Sequence, residues 1–465
     1  MKGPIFTISG LRGVIGRELT PEVAVRTASA YGTMLSGGRV ALARDCRSSG
    51  EMLYAAVTAG LLSTGCSVLS LGVCPTPTVP LLVETEKLAG GIMITASHNP
   101  PEWNGLKLIS PAAAALNRTQ LGELKRILRA NRLTHMSWDG LGRVIPRDDA
   151  IDIHIRRILE SVLFRNRRRR RLRVGIDACH GAASLAADRL IRAMCSVPFG
   201  LYCSPDKGSC FPRPPEPTPD HLKALGTFVR KHRLDLGVAF DPDGDRFSGV
   251  DERGTPLGEE TSVMMATDYV LRQKPGPVVV NLSTTMGIDE IAARHGAPVF
   301  RSRVGEAEVV AKMNEVSAVV GGEGNGGVII PAINRARDGL VALAVLLQTM
   351  ADQRAPLSAI AAQFPRYPML KDKLSFPAAG WSMLRSGLRA AFAAERIDAA
   401  DGLKVLTRDG WIHVRPSNTE PIVRIIAEAR SREQCRKMVA EVRAALKAPL
   451  AKGLKRSALN TGRQI

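Results

Sequence analysis

The stretch GIMITASHNPPEWNGLK, residues 91–107, decides how the rest of the chain is read. Ile92–Ile94 is an apolar run of the kind buried in a strand, and it breaks at once into Thr95, Ala96, Ser97, His98, Asn99 and Pro100. A serine beside a histidine at a strand end suggests a nucleophile. Sequence neighbours seldom face one another, however, and the Gly-x-Ser-x-Gly elbow of the hydrolases is missing. Whatever activates Ser97 must come from elsewhere in the chain.

The segments around this stretch alternate strand and helix. RVALARD (39–45) and CSVLSLGV (66–73) read as buried strands, while Pro21–Leu35 and Glu51–Leu62 carry the apolar spacing of amphipathic helices. Such alternation predicts a layered α/β architecture with mostly parallel strands. The pattern returns from LRVGIDACHG (172–181) to LDLGVAFDPDGDR (234–246), and again from GPVVVNLSTTMGI (276–288) to SAVVGGEGNGG (317–327). Each unit closes with an apolar strand running into a polar loop: TASHNP, DPDGDR and GEGNGG. Ligands of open α/β sheets sit beyond the carboxyl ends of strands, so three such loops can converge on one cleft.

Beyond QFPRYPMLKDKL (363–374), read as a linker, the texture changes. A helical segment, a turn at Asp409-Gly410, the strands WIHVRP and IVRIIAEA and the helix REQCRKMVAEVRAAL predict a small α+β module. The terminal KGLKRSALNTGRQI reads as a basic tail. The resulting division is 1–150, 151–252, 253–366 and 367–452, with 453–465 as the tail.

The bulk numbers narrow the class. A chain of 465 residues with 45% hydrophobic and 23% charged content is ordinary for a globular protein. No apolar stretch approaches the roughly 20 residues needed to cross a bilayer. The start, MKGPIFTISG, lacks a signal-peptide core, so a cytoplasmic protein without membrane partners is expected. Eight cysteines without a C-x-x-C pair fit reduced thiols, with Cys74 and Cys179 as small buried residues. The net charge of +20 suits nucleic acid or an anionic small substrate. Aromatic residues are 4% of the chain, which argues against base-stacking platforms, so no specific nucleic-acid partner is expected. The run from Arg165 to Arg173 reads as a solvated inter-domain segment.

Three loops carry the chemistry. In Asp241-Pro242-Asp243-Gly244-Asp245-Arg246, carboxylates at every second position of an extended loop fall on one side and converge on a hard cation. Glu252 lies at the twelfth position, as in a calcium EF-hand, but Arg246 stands where that loop needs glycine and both flanks read as strands. A Mg²⁺ site sharing a phosphate oxygen fits better. RPSNTEPIVR (415–424) offers Arg415, Ser417, Asn418, Thr419 and Arg424, a set suited to a phosphate monoester. In GGEGNGG (321–327), glycines admit a ligand close to the backbone while Glu323 and Asn325 bond hydroxyls; no Gly-Lys-Ser/Thr follows, so it is not a Walker loop.

Taken together, TASHNP, DPDGDR, a Gly-Glu-x-x-Gly loop and RPSNTEP, in this order, resemble the α-D-phosphohexomutases, the phosphoglucomutase/phosphomannomutase superfamily. SGLRGVIG, ARDCRSSG (43–50), PTP (75–77) and FPRPPEPTP extend the resemblance over nearly the whole chain. It implies a four-domain fold, three similar α/β domains with mixed sheets and a smaller C-terminal α+β domain around a central cleft. It implies that Ser97 carries a phosphoryl group and that Mg²⁺ is bound by Asp241, Asp243, Asp245 and that phosphoserine. The phosphoryl would move between C6 and C1 of a hexose phosphate through a hexose 1,6-bisphosphate intermediate. Lys107 matches the family's general acid/base, with His98 second; Arg246 would stabilise transferring charge, and Arg12 and Arg44 would contact the phosphoserine. Glu323 and Asn325 would select the sugar, and the Arg415–Arg424 loop would hold the non-reacting phosphate.

Two departures bear on the sugar. Many members carry Gly-Glu-x-Ser-Gly-His in the sugar loop, whereas Asn325, Gly326 and Gly327 stand here, and Glu306 occupies a position where some glucose and mannose mutases have histidine. The pattern is most like the phosphoglucosamine mutase branch, which implies glucosamine 6-phosphate and glucosamine 1-phosphate as the pair interconverted. The alternatives are a phosphomannomutase/phosphoglucomutase and, in another class, a non-catalytic polyanion-binding protein on the same scaffold. A monomer or homodimer acting on a small sugar phosphate is expected.

Overall fold

The computed structural model describes residues 4–7, 10–164, 168–208, 210–375, 381–416 and 422–461, with the last helix given by its backbone alone from residue 447. The first sheet has seven strands: β1 (Ile5–Thr7), β2 (Gly10–Val14), β3 (Gly38–Arg44), β4 (Cys66–Val73), β5 (Gly90–Ile94), β6 (Trp103–Ile109) and β7 (Val144–Pro146). Their order is β1-β2-β6-β5-β3-β4-β7, with β3 parallel to both β4 and β5. The second sheet orders β8 (Arg173–Asp177), β9 (Val197–Tyr202), β10 (Leu236–Phe240) and β11 (Phe247–Val250) as β11-β10-β8-β9. The third orders β12 (Val278–Asn281), β13 (Val299–Ser302), β14 (Val320–Glu323) and β15 (Gly327–Ile329) as β13-β12-β14-β15.

One motif is thus written three times. The runs β4-β3-β5-β6, β9-β8-β10-β11 and β13-β12-β14-β15 share order and strand sense, the fourth strand being antiparallel in each. TASHNP, DPDGDR and GEGNGG all occupy the same connection, between the third strand and its antiparallel partner. The strands β3, β8 and β12, first of each motif in chain order, also run into an Asx turn: Asp45, Asp177 and Asn281 each accept, through Oδ1, the N–H two residues on, at 3.0, 2.9 and 2.8 Å. The repeat seen in element order is therefore a repeat of local geometry.

Helix boundaries follow local chemistry. Thr20 caps the helix Pro21–Leu35, which has proline at its start, and Asn117 with Gln120 forms a capping box on Arg118–Ala130. The helices Glu259–Leu271 and Gly339–Gln353 are buried nearly all round and pack together at the centre of a core that runs through the first three domains. Of the basic run, residues 165–167 lie outside the described residues. Arg170 is not a solvated charge: its Nη1 donates to the carbonyls of Met350 and Ala355 at 3.1 and 2.8 Å, capping a helix C-terminus.

The fourth sheet is antiparallel, ordered β16-β20-β19-β18-β17, from β16 (Met369–Ser375), β17 (Arg396–Asp398), β18 (Leu403–Thr407), β19 (Gly410–Pro416) and β20 (Ile422–Ala429). The stretch read as a linker is half strand. In β16 Leu370 and Leu374 pack on the core while Lys371 and Lys373 alternate outward, the pattern of a charged edge strand. The helix Arg432–Thr461 runs into the stretch read as a tail. This domain has its own core and meets the third domain through polar contacts. Lys404 Nζ donates to the Leu282 carbonyl at 2.6 Å, and Val304 N–H donates to Asp401 Oδ2 at 3.0 Å. Among the described residues, no helix is long and apolar enough to cross a membrane.

Candidate active site

The Ser97 loop is built from its own backbone outward. Thr95 Oγ1 accepts the Ser97 N–H at 2.9 Å and donates to Asp45 Oδ2 at 2.6 Å. Ser97 has φ of +50°, a left-handed conformation that costs a non-glycine residue about 1–3 kcal/mol and persists only where the surroundings enforce it. Arg47 supplies the enforcement. Its Nη2 donates to the carbonyls of Ser97 and Asn99 at 2.7 and 2.8 Å, and its Nη1 to those of Pro100 and Trp103 at 2.7 and 2.8 Å. Burial pushes the Asp45 carboxyl up, countered by Arg47, which binds it through Nε at 3.1 Å.

Arg44 is not brought to this centre. It ends β3 with its side chain along the first turn of the next helix, where Nη2 donates to Glu51 Oε1 at 3.0 Å. The arginine that holds the serine loop is three residues further on, in the same ARDCRSSG motif.

Ser97 Oγ donates to Asp241 Oδ2 at 3.2 Å, joining the first loop to the second. Asp241, Asp243 and Asp245 are fully buried, and one oxygen of each lies within 4.8 Å of the others. Their remaining oxygens are tied outward. Asp241 Oδ1 accepts Arg246 N–H at 3.1 Å; Asp243 Oδ2 accepts Thr76 Oγ1 and Lys107 Nζ, each at 2.6 Å. Asp245 Oδ2 accepts Lys107 Nζ at 2.9 Å and Arg337 Nη2 at 2.8 Å. Asp243 Oδ1 and Asp245 Oδ1 are buried without a hydrogen-bond partner. Burying an unpaired carboxylate oxygen is costly, and a hard divalent cation is the partner such a donor set fits.

The charges are mutually set. Burial, then the neighbouring Asp243 and Asp245, push the Asp241 carboxyl well up. Burial acts the same way on Asp245, but Arg337, Lys107 and Arg246 outweigh it and hold that carboxyl low. Burial opposes the Lys107 ammonium, and Asp243 and Asp245 outweigh it, so Lys107 is held charged.

His98 Nδ1 lies 3.3 Å from Ser97 Oγ and 3.0 Å from Arg246 Nη2. A guanidinium only donates, so Nδ1 is an acceptor and the ring's proton sits on Nε2. Arg246, then burial, push His98 well below the usual imidazole range. Arg246 Nη1 is anchored by Glu216, whose carboxyl is lowered to about 2 because Arg246 and His98 outweigh its burial. Arg12 Nη1 donates to Asn99 Oδ1 at 2.7 Å, on the wall of the same cleft.

The sugar-loop residues lie opposite. Glu323 Oε1 accepts Asn281 Nδ2 at 2.7 Å and Gly305 N–H at 2.9 Å, and its Oε2 accepts Arg337 Nη1 at 2.8 Å. Asn325 Oδ1 accepts the Gly327 N–H at 3.2 Å, which turns this loop back into β15. Glu306 begins the helix Glu306–Glu315 and accepts the Arg337 N–H at 3.0 Å.

The fourth domain closes the cleft with cations. Arg415 on β19 faces Arg424 on β20, and Arg424 faces Lys373 on β16, so three cations form one cross-strand row lining the cleft. Like charges directly opposite repel, which an anion between them relieves. Arg415 also pairs with Asp401 at 3.3 Å. Ser417, Asn418 and Thr419 lie outside the described residues. Ser97, Lys107, Arg246, Glu323, Asn325, Arg415 and Arg424 thus all line one cavity of about 1920 Å³.

Comparison with known proteins identifies this arrangement. Four family models match in chain order: the phosphoglucomutase/phosphomannomutase α/β/α domains I, II and III at residues 3–135, 152–254 and 258–367, and the family's C-terminal domain at 383–445. The chain belongs to the phosphoglucomutase/phosphomannomutase family. A Methanopyrus kandleri protein named "Probable phosphoglucosamine mutase" is 38% identical over 94% of this chain and 96% of its own. A Thermococcus kodakarensis phosphoglucomutase/phosphomannomutase is 35% identical over 93% and 96% respectively. A solved structure of a phosphoglucomutase/phosphomannomutase family protein from Burkholderia thailandensis superposes with a TM-score of 0.84 at 29% identity, covering 96% of this chain and 97% of that one. The activity class is therefore that of an intramolecular phosphotransferase, a phosphohexomutase.

Within this family fold, Arg47, Thr76, Lys373 and Arg337 are contacts that sequence reasoning did not single out. Arg47 and Thr76 lie inside quoted motifs. Lys373 and Arg337 had no local signal, because register and a long-range ion pair place them.

Proposed function

We propose that this phosphohexomutase moves a phosphoryl group between C6 and C1 of a hexose phosphate by way of a phosphorylated Ser97. The observation that carries the reading is the Ser97 hydroxyl on Asp241 of a buried three-carboxylate loop, inside a cleft whose far wall is a row of cations. Asp241, Asp243 and Asp245 would hold Mg²⁺, which supplies charge neutralisation to a transferring phosphoryl group.

The chain's own residues do the rest. The left-handed turn at Ser97, fixed by Arg47, aims the hydroxyl at the carboxylate loop. A sugar hydroxyl oxygen attacks phosphorus as the bond to Ser97 Oγ breaks, giving a hexose 1,6-bisphosphate. The bisphosphate turns over and returns its other phosphoryl to Ser97. Lys107, held charged, relays the proton: in the first half-reaction it gives one to the departing Ser97 Oγ as it takes that of the attacking sugar hydroxyl, and in the second it gives one to the departing sugar oxygen as it takes that of the attacking Ser97 hydroxyl. His98, which accepts from Arg246 at Nδ1, fixes that guanidinium beside the Ser97 oxygen. Lys373, Arg415 and Arg424 hold the non-reacting phosphate while Glu323 and Asn325 bond the sugar hydroxyls. Glucosamine phosphate is the preferred substrate, supported by the carboxylates of Glu306 and Glu323 on the cleft wall and by likeness to proteins named as phosphoglucosamine mutases.

The test combines intact mass with turnover. Wild type carries one phosphoryl group, and Ser97→Ala carries none and loses turnover of glucosamine, glucose and mannose phosphates. Full mutase activity in the Ser97→Ala variant would sink the mechanism, and a higher kcat/KM on mannose phosphate would move the substrate assignment.

A further inference from the structure

We infer that Arg337 is a positioning residue whose forked guanidinium sets the geometry of the cation loop and the sugar loop together. The inference rests on the mutase reading above but concerns a residue outside the motifs that carry it. Arg337 sits between the two loops with its head group buried. Its Nη2 donates to Asp245 Oδ2 at 2.8 Å and its Nη1 to Glu323 Oε2 at 2.8 Å, while Nε lies 3.4 Å from Glu306 Oε2. One rigid planar group thus touches three carboxylates from three different chain segments.

Both of its principal partners depend on it. Asp245 has one oxygen tied by Lys107 and Arg337, and the other is buried without a hydrogen-bond partner, 4.0 Å from Arg246 Nε. The direction of that free oxygen is fixed by where the tied one is held. Glu323 has Oε1 fixed by Asn281 and Gly305, so Arg337 fixes Oε2 and with it the plane of the carboxylate. A carboxylate held at both ends presents its remaining lone pairs in one direction, which is what discriminating between sugar hydroxyls requires.

The sugar loop is shaped to admit this arginine. A Cβ at Gly327 would lie 2.3 Å from Arg337 Cδ and 2.9 Å from its Cγ. Gly327 does not have a left-handed φ, so it is needed here for clearance rather than for conformation. This accounts for the departure in the loop's last position: the side chain absent at Gly327 leaves the channel through which the Arg337 stem reaches both loops. Asp338, the next residue, caps the helix Gly339–Gln353 through Leu340 and Val341 and bonds His154 at 2.8 Å, so the backbone carrying Arg337 is anchored independently.

Two variants that leave the formal charge unchanged test the inference. Arg337→Lys keeps the charge but replaces the planar fork with a point donor. Gly327→Ala keeps Arg337 and both carboxylates but blocks the stem. Each is compared with wild type for thermal unfolding, Mn²⁺ affinity by electron paramagnetic resonance, and KM and kcat for glucosamine 1-phosphate. The expected result is a folded protein in which Mn²⁺ binding weakens and KM rises together, each by about 10–100-fold. Wild-type Mn²⁺ affinity and KM in either folded variant would overturn it, because charge neutralisation alone would then explain Arg337. If one variant fails to fold, the other decides. If wild type turns over no hexose phosphate, the mutase reading fails, while Mn²⁺ affinity and calorimetric sugar-phosphate binding still report on Arg337.

Discussion

Arg47 Nη2 donates to the main-chain oxygen of Ser97 at 2.7 Å, and the same guanidinium serves three further carbonyls and one buried carboxylate. The loop that presents the serine is therefore organised by a single side chain. Replacing Arg47 by Met removes the donor those carbonyls share and the counter-charge of Asp45. Breaking a buried pair in this way costs about 3–5 kcal/mol. Arg47→Met is expected to lower the melting temperature and to lose phosphoserine occupancy by intact mass. Arg44→Met, which removes an exposed pair with Glu51 and a 3.3 Å bond to the Asp45 carbonyl, is expected to change stability by about 1 kcal/mol.

That contrast shows how much of the site was legible beforehand. The three loops, their order and their convergence followed from apolar runs ending in polar turns, because strand burial writes itself into local sequence. The choice between Arg44 and Arg47 did not, since both fall within one short motif and only the turn after β3 decides which points inward. Lys373 was hidden for another reason: MLKDKLS looks like a linker until its period of two is paired with β20. Arg337 was invisible because its partners lie 14 and 92 residues away.

The cation row on the fourth domain predicts a graded response. Lys373 is the exposed end of the row, opposite Arg424, and it does not touch the chemistry. Lys373→Ala is expected to raise KM for a hexose phosphate by about three- to tenfold, the worth of one charge-assisted contact, with kcat little changed. Arg424→Ala should cost more, and steady-state kinetics at two ionic strengths would separate the terms. An unchanged KM in Lys373→Ala would remove it from the phosphate site.

The junction of the third and fourth domains should weaken in mild acid. His413 is buried, with Nε2 against the Asp401 carbonyl at 2.6 Å and Nδ1 against Ser283 Oγ at 2.8 Å. Burial lowers its pKa from 6.5 to about 4, opposed by Asp401 and reinforced by Lys404 and Arg415. With the folded value below the unfolded one, the neutral ring's stabilisation is complete above pH 6.5 and is lost as pH falls towards 4. The loss amounts to at most about 3 kcal/mol. Hydrogen exchange across β18 and β19 at pH 7 and pH 5 would show it as faster opening at pH 5, and His413→Gln should flatten the difference.

The last prediction concerns a contact between the first and second domains. Thr76 donates its hydroxyl to Asp243 Oδ2 at 2.6 Å, and its N–H donates to the Asp243 carbonyl at 2.8 Å. The main-chain bond does not depend on the side chain, so Thr76→Val removes the hydroxyl while keeping the shape and the loop-to-loop link. Asp243 Oδ2 would then be held by Lys107 alone, and its partnerless Oδ1 would lose its fixed direction. Losing a partner that orients a cation ligand ordinarily weakens metal binding by about 10–100-fold. Titration with Mn²⁺ should show that loss in Thr76→Val without a comparable fall in thermal stability. Retention of wild-type affinity would mean that Lys107 by itself aims Asp243.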